Sequence, residues 1–354
     1  MFRNTLAFDD VLLVPKRSDI TSRKEIDTSS TMGGVTLDLP VLSSPMDTVT
    51  ETKMSVSMDS IGGLGVVHRY NTIKEQCALV SDAVQSGATN IGAAVGVTDD
   101  FTERAIALHS NGAKVICIDV AHGHHSNVES AIKRLKDIFA DTVTLIAGNV
   151  ATPEGYYDLS SWGADAVRVG IGGGSICSTR IQTGHGVPTL WSVLGCAMER
   201  DVILKGLRED TEHISPAAII ADGGIKTAGD IVKALAAGSD FVMLGSMLAG
   251  TTETPGVLMQ STSGKSFKSY RGMASREAQE DWKGSANSLE GVATTVPYKG
   301  PVELVLTDLK QNIRSGLSYT GARNIRELQL NREFVIQTSA SQVESSTHIM
   351  NRSV

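Results

Sequence analysis

Aromatic residues make up only 5% of this chain, and it has four cysteines. Cys77, Cys117, Cys177 and Cys196 form no Cys-x-x-Cys pair and no dense cluster. That argues against a disulfide framework or a zinc site and fits a reducing cytoplasm. Positive charge is not in excess either: 32 Lys and Arg face 39 Asp and Glu, for a net charge of −7 and a pI near 5.6. This is not the surface of a general nucleic-acid or anionic-membrane binder, so an anionic ligand needs a local site made of backbone N–H groups. No apolar run reaches the roughly 18 residues of a membrane span. Residues Met1 to Asp10 lack the basic-then-apolar pattern of a signal peptide. Neither nucleic acid nor membrane is expected among the partners.

Glycine (35 residues) and apolar side chains (41%) are plentiful. The 354 residues suit two average domains, or one α/β barrel of about 250 residues with additions. Short apolar runs predict strands near Leu39–Ser43, Gly63–Val67, Asn90–Ala94, Val115–Val120, Thr144–Ala147, Ala166–Val169, Ala218–Ala221 and Phe241–Leu244. Between them, segments such as Asn127–Phe139 and Thr227–Ala237 place apolar residues at helical spacing. Eight β-then-α units favour a closed parallel (β/α)8 TIM barrel over an open doubly wound sheet. We therefore expect a single domain spanning residues 1–354. To it belong a short strand Ser266–Ser269, a polar segment 276–295 with the look of a mobile flap, a helix near Val302–Ser315, and a polar tail 337–354. No domain is inserted between His68 and Thr89, a stretch that holds one short helix.

Barrel chemistry gathers where strands end and βα loops begin. The loop after the sixth strand runs Gly170-Ile171-Gly172-Gly173-Gly174-Ser175-Ile176-Cys177-Ser178-Thr179-Arg180. Three consecutive glycines let the backbone approach a ligand or cation closely. A cysteine there is either a nucleophile aimed at a bound electrophile or, as free cysteines commonly are, a small buried hydrophobe. Cys77 and Cys196 fall in predicted helices and Cys117 in a strand, where packing is expected. Asp222-Gly223-Gly224 and Gly245-Ser246 follow strands seven and eight, the usual phosphate site of a barrel. Tyr270-Arg271-Gly272-Met273 is a hairpin edge or part of the site, and Asp47 and Asp119 are helix caps or ligand contacts. His122, His124 and His125 lack a matching carboxylate for zinc, which favours contact with solvent or cofactor.

These segments, with Phe8-Asp9-Asp10-Val11-Leu12-Leu13-Val14-Pro15, Ser44-Pro45-Met46-Asp47 and Val242 to Gly250, resemble the IMP dehydrogenase/GMP reductase family over nearly the whole chain. The resemblance implies a homotetramer that binds a purine nucleoside monophosphate. Ser44, Met46, Gly272, Met273 and Glu290 would face the base and Asp222 the ribose, with Tyr270 also in the substrate site. Ser175, Gly223, Gly224, Gly245 and Ser246 would hold the phosphate. Asp119, Val120, Ala121 and Gly170 would lie beside a nicotinamide cofactor, and carbonyls of Gly172, Gly174 and Cys177 would hold potassium. Where the family's loop usually has proline, this chain has Gly173. Cys177 would add to purine C2, the shared step of both family reactions, with the cofactor carrying the hydride.

Within the family, dehydrogenases resemble this chain at the N-terminus and at Glu344-Ser345. They also carry an Arg-Tyr pair in a long flap, and most insert a CBS-domain pair after strand two. Residues 276–289 contain no Arg-Tyr pair, no insertion is present, and Asp119-Val120-Ala121 looks reductase-like. The expectation is an NADPH-dependent GMP reductase in which Thr179 and Glu290 pass a proton to departing ammonia. The alternative is an NAD-dependent IMP dehydrogenase. A barrel that only binds nucleotide, and a flavin-type barrel dehydrogenase, are the readings outside the family.

Overall fold

A computed structural model describes residues 3–207, 211, 214–286 and 289–345 of the chain. The expected strands form as β1 (Val41–Ser43), β2 (Leu64–Val67), β3 (Ile91–Val95), β4 (Val115–Asp119), β5 (Thr144–Val150), β6 (Ala166–Val169), β7 (Ala218–Asp222) and β8 (Phe241–Leu244). Each pairs in parallel with the next, and β8 pairs with β1, so the sheet closes into a barrel. The return path between parallel neighbours is a helix: α1 (Thr52–Ser60), α2 (Ile73–Gln85), α3 (Phe101–Ser110), α4 (Ser126–Phe139) and α5 (Pro153–Ser161). A short α6 (Thr179–Thr183) precedes α7 (Thr189–Leu204), and α8 (Ala228–Ala237) follows β7. The boundaries have local causes. Thr227 and Asp230 cap the start of α8 reciprocally, and the buried side of α4 is the helical series Val128, Ala131, Ile132, Leu135 and Phe139.

The two-residue period of a strand sorts its side chains between two cores. Outward residues such as Ile116, Ile118, Val167, Val169 and Ile219 pack beneath the helices. Inward residues such as Leu64, Val66, Val115, Cys117, Ala166, Ile220 and Phe241 fill the barrel. A hairpin that the sequence reading missed, Ser30–Met32 with Val35–Leu37, closes the barrel floor and adds Met32, Val35 and Leu37 to the inner core. Its two-residue Gly33-Gly34 turn between β-prone residues was the available signal.

After β8 the chain builds a three-stranded antiparallel sheet above the barrel from Met259–Gln260, Ser266–Arg271 and Ala293–Pro297. Within it, α9 (Arg276–Lys283) occupies most of the first half of segment 276–295. The helix signals were present: Ser275 accepts from the Ala278 N–H as N-cap, and Gly284 ends the helix at φ +70°. Residues 287 and 288 of that segment lie outside the described residues. The barrel's eighth helix, α10 (Val302–Ser318), packs on α8 and α1 and is followed by α11 (Ile325–Asn331). Strand Phe334–Ile336 pairs antiparallel with Val11–Leu13. Within the tail, α12 spans Ser339–Glu344; residues 346–354 lie outside the described residues.

Candidate active site at the barrel mouth

The loops after β6 and β7 meet with no space to spare. Gly170 has φ +146°, and a Cβ on it would stand 1.9 Å from the Asp222 carbonyl oxygen. Gly223, at φ +89°, presses against the Gly174 N–H, 3.0 Å from where a Cβ would be. Only glycine allows that approach at those angles, and the result is a tight crossing that carries Cys177 at the cavity edge, half-buried.

Cys177 is joined to a second segment by an isolated antiparallel bridge to Gly291. The Ser178 N–H donates to the Glu290 carbonyl at 2.9 Å and the Val292 N–H to the Ile176 carbonyl at 3.1 Å. This bridge brings Glu290 to the loop, and a linear chain of side chains follows. The Cys177 thiol donates to Thr179 Oγ1 at 3.1 Å, and that hydroxyl donates to Glu290 Oε2 at 2.8 Å. The other three cysteines are buried. Burial pushes the Cys117 thiol up to about 11 and moves Cys196 the same way, so both stay protonated. Of the two readings of Cys177, packing is not what the structure shows: it lines an open cavity.

That cavity, of about 430 Å³, has the size of a small-molecule site. The residues that the family resemblance assigns to the site all line it: the catalytic set Cys177, Thr179 and Glu290; the substrate residues from Ser44 to Met273; Asp119, Val120, Ala121 and Gly170; and Gly172 and Gly174. Tyr270 is not on a hairpin edge. It lies in the central strand of the upper sheet, buried, with its hydroxyl against Ser175 and Ser246, and burial raises its pKa. The Gly245-Ser246 turn is held from outside by Lys299, whose Nζ donates to the Ser246 and Met247 carbonyls at 2.8 and 3.0 Å.

Arg69 and Asn149 line it from the ends of strands two and five, as rim residues should, while Tyr70, Arg168 and Lys226 were missed. Lys226 stands beside the Gly223-Gly224 turn and pairs with Asp9 at 2.5 Å. Arg168 donates to Asp119 Oδ1 at 2.6 Å and to Asp222 Oδ2 at 2.8 Å. Asn149 Nδ2 also donates to Asp222 Oδ2, at 2.8 Å. The signal for Arg168 was its position: a cation in the middle of a buried strand needs a partner, and two strand-end carboxylates were available.

Other expectations are corrected. Asp47 is neither a helix cap nor a cavity residue; Arg271 donates to its Oδ2 through Nε (2.9 Å) and Nη2 (2.5 Å). The hydrogen bond to Asp47 holds the Arg271 charge beyond the ordinary arginine range, and Arg271 also pairs with Asp281 of α9. Trp282 of α9 stacks obliquely on Tyr70 with centroids 6.1 Å apart. Asp119 is likewise no cap; it pairs with Arg168. His122, His124 and His125 do not line the cavity and meet solvent instead, with His124 bonded to Asp158 at 2.7 Å and His125 capping α4. Among the described residues no group of three or more His, Cys, Asp or Glu is arranged to hold a metal ion. No helix among them is long and apolar enough to cross a membrane.

A closed (β/α)8 barrel with a polar, glycine-lined mouth and a half-buried cysteine in a hydrogen-bonded relay defines the class: a TIM-barrel protein with its ligand site on the C-terminal rim. A sequence model described as the IMP dehydrogenase / GMP reductase domain matches residues 5–348, and the chain belongs to that family of purine-nucleotide oxidoreductases, which use nicotinamide cofactors. Inosine-5'-monophosphate dehydrogenase of Nitrosopumilus maritimus is 35% identical over 98% of this chain and 98% of that protein. GMP reductase of Leishmania major is 32% identical over 98% and 97%. Among solved structures, a cysteine-to-alanine variant of GMP reductase from Trypanosoma brucei, in complex with guanosine 5'-monophosphate, matches with a TM-score of 0.89. Its identity is 30%, covering 98% of each chain. The first two alignments run over 483 and 491 positions, against 354 residues here. Both relatives therefore carry sequence this chain lacks, and the missing insertion does not separate reductase from dehydrogenase.

Proposed function

We propose that the protein is a GMP reductase, converting GMP, NADPH and a proton to IMP, NADP+ and ammonia. The observation that carries this reading is the relay Cys177–Thr179–Glu290, in a site whose upper segment 276–289 offers no Arg-Tyr pair to activate water. As Cys177 Sγ bonds to purine C2, its proton passes through Thr179 to Glu290. The same route returns that proton to the exocyclic amine, which leaves C2 as ammonia. When bound, the nicotinamide supplies the hydride. As C2 gains it, the C–S bond breaks and the sulfur recovers a proton from solvent.

The residues present suit both implied groups. Asp119, Val120, Ala121 and Gly170, which line the cavity, would hold the nicotinamide, with Asn149 beside them tied to the Gly170 carbonyl and to Asp222. The neutral carbonyls of Gly172, Gly174 and Cys177 would suit potassium, in a turn closed by Cys177 N–H to Gly174 O at 3.1 Å. In this reading α9, whose Trp282 stacks on Tyr70, moves as a flap over the nucleotide, and the chain assembles as a homotetramer.

The second reading, IMP dehydrogenase, is favoured by the 35% identity to the Nitrosopumilus enzyme. The test is absorbance of the reduced nicotinamide with GMP plus NADPH, and separately with IMP plus NAD+. Consumption of NADPH with release of ammonia is expected. Formation of XMP from IMP selects the dehydrogenase, and silence in both mixtures removes both readings.

A further inference from the structure

The alternation of β4, β6 and β7 turns Cys117, Ala166 and Ile220 inward. Two residues further on, the same alternation turns Asp119, Arg168 and Asp222 inward, so a layer of three charges rests on an apolar core. Arg168 is 6% exposed, and its two terminal nitrogens reach different carboxylates: Nη1 to Asp119 Oδ1 at 2.6 Å, Nη2 to Asp222 Oδ2 at 2.8 Å. Asn149 Nδ2 adds a second donor to the same Oδ2 of Asp222 and is itself tied to the Gly170 carbonyl, both at 2.8 Å. With two donors on one oxygen the carboxylate cannot rotate, and no hydrogen bond among the described residues occupies Oδ1. Asp222 lines the cavity, so its free oxygen is an acceptor held in advance of any ligand.

We infer that Arg168 is a positioning residue: it aims the free oxygen of Asp222 at a ribose hydroxyl and ties it rigidly to Asp119 on the cofactor side. The inference rests on the nucleotide reading given above. A guanidinium fork can serve two carboxylates at fixed angles, whereas an ammonium is a single point charge on a flexible stem. Arg168→Lys therefore keeps the charge that the two buried carboxylates require and loses the geometry.

The experiment measures by calorimetry, without cofactor, the Kd of GMP against those of its 2′-deoxy and 3′-deoxy analogues. Wild type should favour GMP over at least one analogue by about tenfold or more, the worth of a hydrogen bond to a charged group. Arg168→Lys should reduce that preference at least fivefold (roughly, by loss of most of one such bond) and weaken the deoxy analogue less. On an Asp222→Asn background the same change should reduce it no further, a non-additivity that general destabilisation does not produce. Should Arg168→Lys fail to fold, Asp119→Ala removes the guanidinium's other anchor and should lower the preference in the same direction. A folded Arg168→Lys or Asp119→Ala protein with the wild-type preference overturns the inference and leaves the nucleotide reading standing. A wild type that binds GMP without preference overturns it too, by removing the ribose from Asp222. A wild type that binds no purine nucleotide overturns the reading beneath it.

Discussion

The mouth and the floor of the barrel are made by the same eight strands, yet they enclose opposite materials. At the floor the inward residues are Leu64, Val115, Ala166 and Phe241, sealed by Met32, Val35 and Leu37 of the hairpin. One or two inward positions further along come Asp119, Arg168 and Asp222, and beyond them loops rich in glycine. The period that makes the floor an apolar plug also delivers charge to the mouth, because inward means core at one end of a strand and cavity at the other. Substitutions at the floor should therefore act on stability, and those at the mouth on chemistry.

The largest expected separation comes from Cys177→Ala. Turnover should fall by a factor on the order of 10⁴ or more, while the melting temperature and the affinity for GMP stay near wild type; substantial residual turnover would dissolve the distinction. Phe241→Ala should do the reverse, costing about 3–5 kcal/mol in denaturant unfolding with unchanged specific activity of the folded fraction. Thr179→Val probes how finely the mouth is tuned. Removing the middle of the relay should lower kcat by about 10² with little change in nucleotide Kd, and adding Glu290→Gln should cost little more.

The smallest effect concerns pH. Cys117 of the inner core titrates near 11 when folded against an ordinary value of 9.0. The folded chain therefore keeps a proton that the unfolded chain sheds between those values, and stability should decline as pH rises through that window. Unfolding titrations of wild type and Cys117→Ala would reveal a shallower decline in the variant. At neutral pH iodoacetamide should label Cys177 well before Cys117 or Cys196.

Much of this was legible beforehand. The (β/α) repeat announced the barrel, because buried parallel strands read as short apolar runs and each helix repeats its apolar side every three to four residues. The rim candidates were legible because strand ends locate them. Two kinds of feature were not. The floor hairpin and α9 are short, and their signals, Gly33-Gly34 and Ser275…Gly284, are common in loops as well. The role of Arg168 was not read, since its partners lie 49 and 54 residues away in sequence.

By itself the sequence determined the strand-helix alternation, the glycines where two loops must touch, and the thiol on one of those loops, since these are local matters of side-chain period and backbone freedom. Only the tertiary structure decided that Glu290 meets Thr179, 111 residues earlier, and that one arginine serves two aspartates. Closing the barrel sets distant strand ends side by side, and hydrogen bonds a few ångströms long cannot be read from separation along the chain.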